Sequence, residues 1–181
     1  MKKIPISTLK SDVVMLWALV TTSLCIGLLL NQFRDRPLPL AYQSKQDRMM
    51  NVVNNLASAK PVVPSTSEAI PEYVGLDEFR AIVEGKKGVV LDARPEIFHR
   101  LGHIPGAVSL PREDFEHAYS QHQDLLSDKS ALVAVYCSSS SCEDSELVRD
   151  ALRKLGYTHA TVFKGGWSEW TAAGLPEGKN L

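Results

Sequence analysis

Two cysteines and four consecutive serines share one short segment, Tyr136-Cys137-Ser138-Ser139-Ser140-Ser141-Cys142-Glu143-Asp144-Ser145. The nucleophilic form of cysteine is the thiolate, and a tight loop that opens a helix favours it. The loop's backbone N–H groups and the positive end of the helix dipole both stabilise the anion. Small serine side chains let the backbone curl around a negative charge. Cys137 is therefore a candidate nucleophile, with Ser138, Ser139, Ser140 and Ser141 as its supporting loop. Cys142 adds a second thiol at C-x4-C spacing. The two sulfurs can meet if the Cα separation falls below about 7 Å. Such a pair allows a disulfide, which persists in an oxidising compartment, or an internal hand-over of sulfur between thiols. Cys142 is equally readable as a plain small residue near a helix start.

Glu143 and Asp144 stand at the helix entrance with no Arg or Lys between Cys137 and Arg149. Two carboxylates within several ångströms of a thiolate raise its pKa and repel anionic donors. They also read as helix-start residues, since Ser141-x-x-Asp144 has the outline of a capping box. A phosphate-gripping C-x5-R loop needs an arginine six residues after the cysteine, where this chain has Glu143; phosphatase chemistry is excluded. His99, His103, His117, His122 and His159 lack metal-ligand spacing, and no phosphate-binding glycine pattern occurs. Neither a metal nor a cofactor is expected.

Alternating strand and helix patterns position these residues. Helical spacing over 76–84 is ended by Gly85, and the apolar run 88–92 is a buried parallel strand ending in Asp92-Ala93-Arg94. Pro95 opens a short helix through Leu101. Residues 107–110 form a short strand and 111–126 one charged helix. Residues 131–136 make the most strand-like run of the chain. A helix follows over 145–155, a strand over 161–163 and a last helix over 167–173. The alternation predicts a three-layer α/β domain with a central parallel sheet. Ligands in such sheets gather at the carboxyl ends of strands, where Asp92, Arg94 and Cys137 fall.

The strings V-L-D-A-R-P-E-I-F-H-R-L-G-H-I-P-G-A-V-S-L-P (90–111), V-Y-C (135–137), L-R-K-L-G-Y (152–157) and F-K-G-G-W-S-E-W-T-A-A-G-L-P (163–176) resemble the signatures of rhodanese-like domains. The resemblance spans residues 71–178. It implies that Cys137 accepts sulfane sulfur as a persulfide and passes it to a nucleophile. It further implies that Asp92 and Arg94 brace the loop, that Gly102-His103-Ile104-Pro105-Gly106 is a turn, and that Gly165-Gly166-Trp167 packs beneath the loop. The loop departs from the family pattern: it is about two residues longer, and Glu143 and Asp144 replace the usual basic end.

The formal charge of -1 conceals a division. Residues 1–60 carry eight Lys and Arg against three acidic residues, leaving twelve against eighteen for 61–181. An acidic body is a poor partner for nucleic acid. Residues 13–30 contain no charge, and eighteen residues of helix span about 27 Å, near the thickness of a hydrocarbon core. The run is apolar all round and ends without a small-residue cleavage pattern. The expected organisation is a tail over 1–12, a transmembrane anchor over 13–33, a Pro-punctuated tether over 34–70 and the domain over 71–178, with a helix over 43–59 weakened by Asn51, Asn54 and Asn55. Cys25 lies inside the apolar run and faces lipid or packs. Three Lys and Arg on each side leave orientation balanced. The short tail and the free amino terminus favour a cytoplasmic start and an extracytoplasmic (periplasmic) domain.

Three functions remain open on sequence. The first is a membrane-anchored sulfurtransferase with Cys137 as carrier, supplied by a small sulfur donor or a protein persulfide. The second is a thiol–disulfide module using Cys137 and Cys142. The third is a binding module that kept the fold without the basic loop.

Overall fold

Side chains alternate across the central strand β4 (Val133–Tyr136): Val133 and Val135 join one apolar cluster, Ala134 and Tyr136 the other. All four are buried, as expected of a strand covered on both faces. In this computed structural model, five parallel strands pair in the order β1-β5-β4-β2-β3. They are β1 (Tyr73–Val74), β2 (Val89–Asp92), β3 (Val108–Ser109), β4 and β5 (Ala160–Phe163). The structure describes residues 6–34, 38, 42–58 and 71–179. They belong to two compact units, Met1–Gln43 and Ser44–Leu181.

Within the second unit, one face of the sheet is covered by α2 (Lys45–Ser58), α5 (Phe115–Gln121) and α6 (Asp144–Lys154) through Met49, Val53, Phe115, Ala118, Val148, Ala151 and Leu152. The other face carries α3 (Leu76–Gly85) and α7 (Gly166–Ala172), whose Phe79, Ile82 and Trp170 meet Val90, Ala134, Tyr136 and Phe163. Phe79 stacks on Phe163 with ring centroids 4.3 Å apart. A last short helix, α4 (Glu96–Leu101), follows β2. The domain is three-layered with an all-parallel sheet.

Along the chain the elements partly match the sequence expectation and partly depart from it. The single helix expected over 111–126 is a 3-10 turn (Arg112–Asp114) followed by the two-turn α5, because Asp114 leaves helical dihedrals at φ -124°, ψ 32°. The helix expected over 43–59 is present as α2, and it packs on the domain. Its apolar residues 49, 52, 53 and 56 form an i, i+3, i+4, i+7 stripe, and Asn51, Asn54 and Asn55 face solvent. A capping box starts it: the Asp47 amide donates to Ser44 Oγ at 3.1 Å, and the Ser44 amide to Asp47 Oδ2 at 3.2 Å. The rest of the expected tether, residues 35–37, 39–41 and 59–70, lies outside the described residues, as do residues 1–5 of the expected tail. The tail's remainder is helical, since α1 begins at Ile6 and runs to Gln32.

In the first unit, residues Asp12–Gln32 of α1 have a mean hydropathy of 2.4, long and apolar enough to cross a membrane. Both threonine hydroxyls in this run are satisfied locally: Thr21 donates to the Trp17 carbonyl at 2.9 Å and Thr22 to that of Ala18 at 2.7 Å. A polar group without such a partner would be costly in hydrocarbon.

Candidate active site

Cys137 is the first residue beyond β4, and Asp92 ends the neighbouring strand β2 directly opposite Tyr136. The two strand ends build different parts of the site. Asp92 is fully buried, and its carboxylate accepts hydrogen bonds from every side. Arg94 donates to it from its backbone amide at 3.0 Å, from Nε at 2.9 Å and from Nη2 at 2.7 Å; the Tyr136 hydroxyl donates at 2.7 Å. His99 Nδ1 lies 3.1 Å away. Burial alone would raise the Asp92 pKa, but the bonds from His99 and Arg94 outweigh it and hold the carboxyl below its ordinary value. Burial, with Asp92 alongside, pushes the Tyr136 phenol well up, so it stays a neutral donor.

Arg94 links this anchor to the loop. Its Nη2 donates to the Gly102 carbonyl at 2.6 Å, and its guanidinium lies 4.7 Å from the centre of the Trp167 ring. The Trp167 backbone N–H then donates to the Cys137 carbonyl at 2.8 Å. Ser168 holds the next carbonyl, that of Ser138, through its amide at 2.9 Å and its hydroxyl at 2.8 Å. Asp92 and Arg94 thus reach the loop through Trp167. Gly166 permits the close approach: it has φ +63°, and an added Cβ would lie 2.4 Å from the Cys137 carbonyl oxygen.

The loop is closed by a disulfide between Cys137 and Cys142, with Cα atoms 6.2 Å apart. Cys137 is 2% exposed, whereas Cys142 is half-buried. The Cys142 amide donates to the Ser139 carbonyl at 3.0 Å, and Ser139 and Ser141 share a hydroxyl contact at 3.0 Å. Ser138, Ser140 and Ser141 face solvent, as does Glu143.

Asp144 behaves differently from the sequence expectation. No side-chain oxygen caps α6, so the Ser141-x-x-Asp144 box is not formed. The Asp144 carboxylate instead lies within 4.8 Å of both loop sulfurs. Arg112 Nε sits 2.8 Å from its Oδ1, close enough for an ion pair though not aligned for a hydrogen bond. Lys45 Nζ is 3.4 Å from the same oxygen. Sequence reading singled out neither cation. Arg112 lies in a polar turn 32 residues earlier, Lys45 in the expected tether, and nothing in a one-dimensional pattern pairs them with Asp144.

Cys137, Cys142 and Asp144 also form the one trio among the described residues with metal-ligand proximity. With the sulfurs bonded to each other and the carboxylate held between two cations, it does not present a ligand set. His103 lies outside the loop, its backbone bonding Gly178 in both directions at 2.8 and 2.9 Å.

The same stretch of chain matches known proteins. The profile of the Rhodanese-like domain family matches residues 75–173. A tRNA uridine(34) hydroxylase from Bartonella bacilliformis is 30% identical over 104 residues, 55% of this chain but 32% of that protein. This chain thus spans about a third of that relative's length. Thiosulfate sulfurtransferase/rhodanese-like domain-containing protein 3 of Mus musculus is 27% identical over 125 residues, 60% of this chain and 74% of the relative. The solution structure of a Rhodanese-like domain from an Anabaena sp. protein matches with a TM-score of 0.52 and 26% identity, covering 61% of this chain and 81% of that one.

Proposed function

We propose that this chain, which belongs to the rhodanese-like domain family, is a membrane-anchored sulfurtransferase in which Cys137 takes up sulfane sulfur as a persulfide. The observation that carries this reading is the placement of Cys137. It heads a loop at the carboxyl end of the central strand, and the first two loop carbonyls are held by Trp167 and Ser168 of α7. That clamp fixes the loop's root at Cys137 and Ser138, and residues 139–142 lie beyond it. In the reduced loop, the Cys137 thiolate attacks the sulfane sulfur of a donor, a new S–S bond forms, and the donor's remaining group leaves with the electron pair. The Asp92–Arg94 pair takes no part in bond making; it positions Trp167.

The test is intact mass analysis of the full chain in detergent, reduced, freed of reductant and exposed to thiosulfate or glutathione persulfide. Gain of one sulfur on Cys137 in a Cys142→Ser chain, absent when Cys137 is replaced by Ser as well, is the expected result. Failure of both donors to load any variant with Cys137 intact would refute the reading.

One feature supports a domain on the extracytoplasmic side: a loop disulfide persists in oxidising compartments. Protease protection in sealed, right-side-out vesicles decides the side, since an extracytoplasmic domain is digested without detergent.

The disulfide also favours a second reading, a dithiol–disulfide module that needs no sulfur donor. Multiple-turnover oxidation of a dithiol substrate, with oxidised glutathione reforming the loop disulfide and at a rate indifferent to sulfane sulfur, would establish it.

A further inference from the structure

The Cys137–Cys142 bond is the product expected if Cys142 attacked a persulfide carried by Cys137. We propose on that ground that this chain discharges sulfane sulfur as hydrosulfide, with Cys142 as its internal resolving thiol and a dithiol as its external reductant. The inference rests on the reading of Cys137 as sulfur carrier, and adds to it the acceptor, the product and the co-substrate class.

Three observations carry it. The first is reach: the sulfurs are bonded, so Cys142 can attain attack distance on Cys137 Sγ without moving either strand or helix. The second is access. Cys137 is 2% exposed and Cys142 half-buried, so an external thiol meets Cys142 first. The third is the identity of the sulfur attacked. Attack on the outer, sulfane sulfur would move it to Cys142 and leave no bond between the two Sγ atoms. Attack on the inner sulfur makes that bond and expels the outer atom. The four serines between the cysteines supply the extra length that closure needs, and the Cys142 amide bond to the Ser139 carbonyl holds the returning turn.

The cycle balances. A dithiol reductant attacks the accessible Cys142 Sγ, and Cys137 leaves as a thiolate with the bonding electron pair. The reductant's second thiol then displaces Cys142, leaving the reductant as its own disulfide, oxidised by two electrons. Cys137 thiolate attacks the sulfane sulfur of thiosulfate, forming the persulfide and releasing sulfite. Cys142, giving up its thiol proton, attacks Cys137 Sγ. The Cys142–Cys137 bond forms, the bond to the outer sulfur breaks, and that sulfur leaves with the electron pair and, through solvent, the proton as hydrosulfide. In sum, one sulfane sulfur is reduced to sulfide and one dithiol is oxidised. Neither a metal nor a further oxidant is required.

A single-turnover experiment tests this. The detergent-solubilised full chain is reduced with dithiothreitol, stripped of it anaerobically, and given one equivalent of thiosulfate or of glutathione persulfide. The expected result is release of one hydrosulfide per chain with return of the loop disulfide, both absent from a donor-free control. Cys142→Ser is expected to keep the added sulfur on Cys137 and to lose hydrosulfide release. If wild type instead retains the added sulfur and releases none, the inference is overturned while the carrier reading stands. If Cys142→Ser gains no sulfur from either donor, the carrier reading itself fails. If wild type and Cys142→Ser release hydrosulfide equally, Cys142 is not the resolving thiol.

Discussion

Arg112 Nε lies 2.8 Å from Asp144 Oδ1, with the two side chains only 12% and 14% exposed. The carboxylate nearest the loop sulfurs is therefore neutralised by a cation from a different part of the chain. Lys45 reaches the same oxygen from α2. Positive charge near the loop is thus supplied from outside it, one step removed from the sulfurs.

Arg112→Met leaves Asp144 with a single, largely exposed cation. Net negative charge near the sulfurs then disfavours the thiolates of the reduced loop, and alkylation near pH 7 should slow by about 3- to 10-fold. Iodoacetamide labelling resolved by peptide mass measures this at each cysteine. Arg112→Lys should recover much of the rate; equal rates for wild type and Arg112→Met would show that the pair is structural only.

Gly166→Ala tests the contact between α7 and the loop. The new Cβ meets strain from the positive φ and a clash with the Cys137 carbonyl, together costing about 2–4 kcal/mol. Gly106 provides the control, with φ +79° and open space around it. Gly106→Ala should cost only about 1 kcal/mol, from strain alone. Urea unfolding compares the two. Similar losses at both positions would mean that the loop yields to the new methyl group.

Asp92→Asn removes the charge that Arg94 faces in the interior. Breaking a buried pair from one side costs about 3–5 kcal/mol at neutral pH. The pH dependence has a definite sign, because the folded pKa of Asp92 is lowered. Its contribution is complete above the unfolded value of about 3.9 and is lost as pH falls through the folded value. The stability gap between wild type and Asp92→Asn should therefore be constant from pH 7 to about 5 and narrow below about pH 4. Denaturant titrations at stepped pH check it; a gap that is flat down to pH 3 would assign the loss to geometry and not to charge.

The sheet, most of the helices and the loop cysteine were legible because each is a local pattern. The run 88–92 and the run 131–136 are strands whose apolar residues serve both faces, and Gly85 and Gly174 mark where helices stop. The resemblance placed Gly166 and Trp167 near the loop. The electrostatics were not legible. Glu143 and Asp144 look alike in sequence, yet one faces solvent and the other is clasped by Arg112 and Lys45. Capping was misplaced for a similar reason. Ser44-x-x-Asp47 and Ser141-x-x-Asp144 share one pattern, but a disulfide constrains the second while the first is free to close its box.

α2 yields the prediction that bears most directly on the domain's extent. Met49 and Val53 are 4% and 1% exposed, buried in the cluster that holds Val148, Ala151 and Leu152 of α6. Met49→Ala should cost about 2–5 kcal/mol, far more than an interchangeable tether residue would. Chains beginning at residues 44 and 71 make the comparison sharper. The longer keeps α2 and unfolds cooperatively. The shorter uncovers one side of α6, binds a hydrophobic dye and melts lower. It also loses Lys45 from Asp144, so its reduced thiols should alkylate more slowly than those of the longer chain. Equal melting of the two chains would return α2 to the tether; equal melting with unequal alkylation would leave it only its electrostatic contact with the loop.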